Sequence, residues 1–232
     1  MLRAMLAAGV ALFAIAAHAQ VAGSVSLASD YRFRGISLSD DRPSAQASIS
    51  YDPPTSGWYA GGAVSSARID QQTAAQLLGY AGFVQRLRPN LSWEAGVTYS
   101  RFTGHESYAY AEAYAGITYR QIVARLYYAP DYFNSGVPVL YGELNGSHAL
   151  HGNWYLFGHL GFLRRNGNLT MDHTSRYRSD LRAGIGVTLK PVDIQLSWSG
   201  VHGGHGSGYL FGYPVSNEVT RDAWIISLSY NW

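Results

Sequence analysis

Asp180-Leu181-Arg182-Ala183-Gly184-Ile185-Gly186-Val187-Thr188-Leu189, then Lys190-Pro191, then Val192-Asp193-Ile194-Gln195-Leu196-Ser197-Trp198-Ser199, is the stretch from which the whole chain can be read. Leu181, Ala183, Ile185, Val187 and Leu189 share one parity, while Asp180, Arg182, Gly184, Gly186 and Thr188 share the other. After the turn, Val192, Ile194, Leu196 and Trp198 oppose Asp193, Gln195, Ser197 and Ser199. A period of two sends side chains to opposite faces of a strand, so this is a hairpin whose strands divide an apolar from a polar environment.

The same division recurs outward in both directions. Leu91, Trp93, Ala95, Val97 and Tyr99 oppose Ser92, Glu94, Gly96, Thr98 and Ser100, and the chain ends on Trp224, Ile226, Leu228, Tyr230 and Trp232. Near the start, Val25, Leu27, Tyr31 and Phe33 oppose Ser24, Ser26, Asp30, Arg32 and Arg34. Marking every such segment gives about twelve strands, beginning near Ser24, Ser44, Trp58, Ala75, Leu91, Tyr108, Ile122, Val139, Asn153, Tyr177, Val192 and Ala223. The fourth, around Leu77 to Val84, and the ninth, around Trp154 to Leu163, are apolar on both parities, so their facing stays open.

Connections alternate too. Arg86 to Asn90, Tyr119 to Gln121, His148 to Gly152 and Lys190-Pro191 are tight, whereas Arg34 to Arg42, Ser66 to Thr73, Pro130 to Gly136, Arg164 to Arg176 and His202 to Arg221 are longer and more polar. Short turns on one rim, long loops on the other and an even number of strands predict an all-β, up-and-down antiparallel transmembrane barrel of the bacterial outer membrane. Both chain ends then lie at the periplasmic rim.

Composition decides which face is outside. Charged side chains make up 14% of the 232 residues, against about 25% in an ordinary soluble domain, and only Lys190 is a lysine. The polar parity is mostly Ser, Thr, Gly, Tyr and Gln, which suits a narrow wetted interior better than a soluble exterior. Asp30, Arg32, Glu94, Glu112, Arg125, Glu143, Asp180, Arg182 and Asp193 all take that parity, and an Arg turned to the lipid midplane would cost about 2–4 kcal/mol. Aromatic residues gather at two levels: Trp58, Trp93, Trp154 and Trp232 near the short turns, and Phe33, Tyr99, Phe102, Tyr128 and Trp224 near the long loops. These are the expected membrane-interface girdles.

The formal net charge of +2 provides no basic field for nucleic acid, and the absence of cysteine removes disulfides and thiolate chemistry. Arg3, the apolar run Ala4 to Ala17 and the small residues of Ala17-His18-Ala19 predict a signal peptide over residues 1–19, with export and one barrel domain over 20–232.

Several blocks resemble a known family. Ser29-Asp30-Tyr31-Arg32-Phe33-Arg34-Gly35-Ile36-Ser37 is similar to the N-terminal signature of the TorF-type porins, proteobacterial outer-membrane proteins long carried as conserved proteins of unknown function. Gly57-Trp58-Tyr59-Ala60-Gly61, Glu112-Ala113-Tyr114-Ala115-Gly116 and Tyr127-Tyr128-Ala129-Pro130-Asp131-Tyr132-Phe133 resemble its later blocks, so the likeness spans nearly the whole exported chain. Leu228, Tyr230 and the terminal Trp232 resemble the signal read by the barrel assembly machinery, where Phe is the commoner last residue. The resemblance implies a porin and brings no substrate or catalytic residue with it.

On this reading the pore-lining charges are Arg32, Arg34, Arg125, Arg178 and Arg182 facing Asp30, Glu94, Glu112, Glu143, Asp180 and Asp193, five positive against six negative. They are expected to pair across a tight water-filled lumen, setting its width and polarity without strong ion selectivity. The structural alternative is that the same pairs plug and stabilise the barrel. His202-Gly203-Gly204-His205 and His148-Ala149-Leu150-His151 read as polar loops, so neither a metal nor a cofactor is expected. An outer-wall Ser-His hydrolase would have to use His105 or His159, for which no partner is visible, and no enzyme is expected. Asp40-Asp41-Arg42 and Arg164-Arg165 read as solvated loop charge, with lipopolysaccharide phosphate or divalent ions as the alternative partners. The expected function is passive diffusion of small hydrophilic solutes, in contact with outer-membrane lipid and lipopolysaccharide. Other readings are a non-conducting barrel binding through its long loops, a soluble periplasmic ligand-binding barrel and an outer-membrane lipid hydrolase.

Overall fold

A computed structural model describes residues 21–54, 56–69, 71–166, 176–203 and 221–232. The expected signal peptide and His205 lie outside the described residues, as do most of the connections 166–176 and 204–221. Twelve antiparallel strands close into one barrel: β1 (Val21–Ala28), β4 (Ser44–Tyr51), β5 (Trp58–Ile69), β6 (Gln72–Arg88), β7 (Leu91–Phe102), β8 (His105–Tyr119), β9 (Ile122–Ala129), β10 (Val139–Ala149), β11 (Trp154–Arg165), β12 (Tyr177–Leu189), β13 (Val192–Gly203) and β14 (Asp222–Asn231). Each begins within three residues of its sequence-predicted start. Between β1 and β4 lies a separate two-stranded hairpin, β2 (Arg32–Phe33) and β3 (Ile36–Ser37).

Every strand pairs with its neighbour in sequence, and β14 returns to β1 with Leu27 opposite Leu228. The closure is sealed by reciprocal backbone hydrogen bonds between Gly23 and Trp232, both 3.1 Å. Among the described residues the barrel leaves none of its strand edges open, which is the condition for crossing hydrocarbon with strands.

The alternation now has its physical meaning. Leu27, Val97, Ile117, Leu160 and Ile226 are each more than half exposed, on the outer wall. Glu94, Glu112, Asp180 and Asp193, on the other parity, are buried inside. The two ambiguous strands resolve by register. On β6, Leu77 and Ala81 pair with outward Arg101 and Val97, while Gln76, Leu78 and Tyr80 face inward. On β11, Trp154, Leu156, Leu160 and Phe162 face out, while Tyr155, Phe157, His159 and Leu163 face in.

Three expectations need correction. The first strand ends at Ala28, so Tyr31, Arg32, Phe33 and Arg34 do not continue the wall. They enter the inward-folded hairpin, and Phe33 packs on the interior apolar cluster rather than in a membrane-interface girdle. Phe102 also faces inward and is fully buried, because two residues on from Ser100 it shares that residue's inward parity and not the outward one of Tyr99. The connection expected at Ser66 to Thr73 is no long loop: β5 and β6 run on until two residues separate them. Trp58, Tyr99, Tyr128, Trp154 and Trp224 sit exposed on the outer face, and Trp93 lies partly covered beside Phe83 with ring centroids 6.1 Å apart.

Candidate functional site

The interior is organised by the hairpin. Its two-residue turn, Arg34-Gly35, has φ of 51° and 80°, the positive pair that a type I′ turn requires. Gly35 is needed twice over, because a Cβ there would also lie 2.6 Å from the Cβ of Asp180 on β12. The carboxylate of Asp30 braces the base of the hairpin. It accepts hydrogen bonds from Arg32 Nε at 2.6 Å, Ser37 Oγ at 2.6 Å and Ser39 Oγ at 2.9 Å. Tyr31 then ties the hairpin to the wall, its hydroxyl donating to Gln76 Oε1 at 2.7 Å.

From the turn, Arg34 reaches across the lumen to β8. Its guanidinium meets Glu112 in a two-pronged pair, Nη1 to Oε1 at 2.9 Å and Nη2 to Oε2 at 2.8 Å, and Nη1 also donates to Tyr132 Oη at 3.1 Å. The cation lies 4.1 Å from the ring centroid of Tyr141, with Tyr127 and Tyr132 also within 6 Å. Both charges are almost fully buried, so paired geometry has to offset their loss of water. One short hairpin thereby links β1, β6, β8 and β12 across the bore.

Above it, towards the long-loop rim, the interior is dry. Ile36 and Leu38 of the hairpin pack with Ile69, Phe102, Val139 and Leu163 from the wall. Tyr132 and Phe133 join them from the 130–138 connection, which also folds inward, and Phe133 stacks on Phe102 at 6.0 Å between centroids. The expectation of a water-filled lumen does not describe this half, where the inner parity itself turns apolar at Ala67, Ile69, Ala74 and Val139.

Below the hairpin the interior is polar and contains cavities of about 480 Å³ and 430 Å³. The larger runs from Arg34 and Gly35 past His159 and Arg182 to Gln121 and Ser147 at the short-turn end. In it His159 is held between Asn145 Oδ1 and Asp180 Oδ1, both at 2.7 Å. Arg182 donates its Nε to Ser197 Oγ at 3.0 Å and lies over the Phe157 ring at 5.4 Å. No carboxylate among the described residues pairs with it. The smaller cavity is lined by Tyr59, Tyr80, Tyr114, Tyr127 and Arg125. There Glu94 receives Arg125 Nε at 2.7 Å and the Tyr59 hydroxyl at 2.6 Å, while Glu143 lies 3.9 Å from Arg125 Nη1. The Tyr59 ring lies across Gly82, where a Cβ would approach it to 2.6 Å, so glycine on the inner face makes room for tyrosine.

The charged residues expected from sequence therefore all point inward, but they pair in local groups. Asp30 and Arg32 serve the hairpin, Arg34 takes Glu112, and Glu94, Arg125 and Glu143 form a cluster. Asp180 takes His159 and Tyr141, while Asp193 is held by Tyr155 at 2.7 Å and Thr188 at 2.8 Å. Arg178 is buried at the upper end of β12. Sequence reasoning missed the tyrosine network, Arg165 on the inner face, and the role of His159, which belongs to the interior and not to an outer-wall hydrolase pair. The available signal was Tyr and Gly recurring on the polar parity.

A closed barrel with an inside-out surface and a charged, loop-constricted interior is the architecture of outer-membrane porins, and similar solved structures bear this out at the level of the fold. The NanC porin superposes with a TM-score of 0.57 at 9% identity, over 90% of this chain and 98% of that one. The KdgM porin, also solved in complex with disordered oligogalacturonate, gives 0.55 at 11%, over 90% and 98%. The Acinetobacter baumannii outer membrane protein Omp33 gives 0.50 at 9%, over 92% and 98%. The chain belongs to the family described as bacterial proteins of unknown function (Gcw_chp), which matches residues 14–229. No curated protein matches its sequence.

Proposed function

We propose that this chain is an outer-membrane channel for passive diffusion of small hydrophilic solutes, exported by the leader 1–19, inserted through its C-terminal strand by the barrel assembly machinery, and narrowed by the β2–β3 hairpin. The observation that carries the reading is the polar cavity of about 480 Å³ that ends against Arg34 and Gly35. A purely structural barrel would gain nothing by keeping Arg182, Gln195 and Asn145 around solvent-sized space. The TorF-type resemblance agrees with this. The mechanism needs no cofactor: solute moves down its gradient through hydrogen-bonding groups, and the hairpin sets the size limit.

The second reading, a non-conducting barrel, is favoured by the dry cluster around Phe102, Tyr132 and Leu163. Planar-bilayer recording separates the two. The channel reading expects small steps from the wild type and several-fold larger steps from Gly35→Val, whose side chain has no room beside Asp180. Silence from the wild type, from Gly35→Val and from a chain with residues 30–41 replaced by a short Gly-Ser linker would establish the second reading.

A further inference from the structure

The outer wall carries a feature that transport does not use. Along one hydrogen-bonded row, Tyr230 pairs with Val25, Val25 with Ala47, Ala47 with Val64, Val64 with Leu77, and Leu77 with Arg101. The row climbs from the short-turn end of β14 to the long-loop end of β7. Small residues on this face, Ala45, Ala47, Ser66 and Ala75, leave a groove of about 610 Å³ between the bulkier Leu27, Val64, Leu228 and Tyr230.

The upper end of the groove is basic. Arg101 terminates the row, and Arg68 stands two residues above Ser66 on the same outward parity, about 7 Å further along β5. Arg42 follows on the loop. Asp40 lies 3.4 Å from Arg68 Nε and 3.7 Å from Arg42 Nε, so one carboxylate serves two guanidiniums, and Arg42 and Arg101 are exposed. Outward-facing arginine is tolerable only at the headgroup level, where it meets anions.

We propose that this face is a binding site for the phosphorylated, acylated glycolipid of the outer leaflet, lipopolysaccharide, with one acyl chain along the groove and a phosphate on Arg42, Arg68 and Arg101. The inference rests on the outer-membrane reading and is independent of conduction. A plain glycerophospholipid would fill the groove equally well, but three guanidiniums at its head match a glycolipid whose phosphates are carried on a rigid sugar frame.

The test is native mass spectrometry of the chain refolded into lipid-free detergent and titrated with bis-phosphorylated lipid A or with phosphatidylglycerol. One lipid A should bind in preference to phosphatidylglycerol. The triple variant Arg42→Ala, Arg68→Ala, Arg101→Ala should weaken it by at least about tenfold. Ala47→Phe, which fills the groove and keeps every charge, should weaken it as well, whereas Ala113→Phe on another part of the outer wall should not. Arg101→Ala alone gives the same reading should the triple variant fail to fold, because its position at a strand end spares the barrel. Equal affinity for the two lipids, or unchanged binding in Arg101→Ala and Ala47→Phe, overturns the site. Folding is verified by heat-dependent gel mobility; a chain that folds without detergent would instead overturn the outer-membrane reading itself.

Discussion

On the long-loop side of the barrel interior Phe102, Tyr132, Phe133 and Leu163 pack together out of water, while on the short-turn side Tyr59, Arg125, His159 and Arg182 border cavities. The same wall strands build both halves. The difference has two sources: the inner parity turns apolar at Ala67, Ile69, Ala74 and Val139, and the hairpin and the 130–138 connection add apolar side chains to the upper half while only the polar Arg32, Arg34 and Gly35 reach the larger lower cavity. An inner face is therefore not uniformly wet because the barrel alternates. Apolar packing holds the hairpin in the upper half, and the Arg34–Glu112 pair fixes its orientation.

Breaking that pair should give the largest effect. Glu112→Ala strands a buried guanidinium among aromatic rings, and breaking a buried pair from one side costs about 3–5 kcal/mol. Urea unfolding in detergent, followed by tryptophan fluorescence, should show the loss, and the double variant Arg34→Met, Glu112→Met should recover part of it. A Glu112→Ala chain as stable as the wild type would mean that the hairpin is not held as described. Next comes Phe102→Ala in the dry half, where a fully buried ring leaves a cavity costing about 3–5 kcal/mol. Phe157→Ala, at the rim of an existing cavity, should cost clearly less in the same titration. Equal losses would erase the contrast between the halves.

Much of this was legible in the residues themselves. Twelve strands and the facing of Glu94, Glu112, Asp180 and Asp193 follow from parity, because moving a charge to the lipid side is expensive and the sequence never does so in mid-strand. The hairpin escaped notice because Tyr31, Arg32, Phe33 and Arg34 keep the same alternation as β1. A local pattern records that two environments exist, not that the chain has left the wall. The clue was Arg34-Gly35 flanked by two residues of strand type on each side, together with Asp30 spaced to reach Ser37 and Ser39. Pairing partners were not legible either, since Glu112 and Arg34 lie 78 residues apart and meet only through the barrel's closure.

A smaller effect is expected from the tyrosine network of the lower half. Tyr59→Phe removes a hydroxyl that donates to Glu94 and contacts Tyr114 at 2.6 Å. Water in the adjoining cavity can replace it, so the loss should be about 1 kcal/mol. A loss as large as that of Glu112→Ala would show that the lower half is as dry as the upper.

The smallest stability change, below about 1 kcal/mol, is expected for Arg182→Gln, because it loses one hydrogen bond to Ser197 and a contact with the Phe157 ring while no ion pair is broken. Its electrical consequence should be out of proportion to that. Arg125, by contrast, is neutralised by Glu94 and Glu143, and Arg34 by Glu112. Removing Arg182 deletes a positive charge that no carboxylate among the described residues pairs with, so the wall of the larger cavity becomes more negative. In a potassium chloride gradient the reversal potential of a conducting barrel should shift towards cation preference. Arg182→Lys should restore it, since charge rather than the guanidinium fork is at issue. A wild-type channel whose reversal potential is unmoved by Arg182→Gln would show that the conduction path avoids the larger cavity and runs along the serine-lined inner face of β1 and β4 instead.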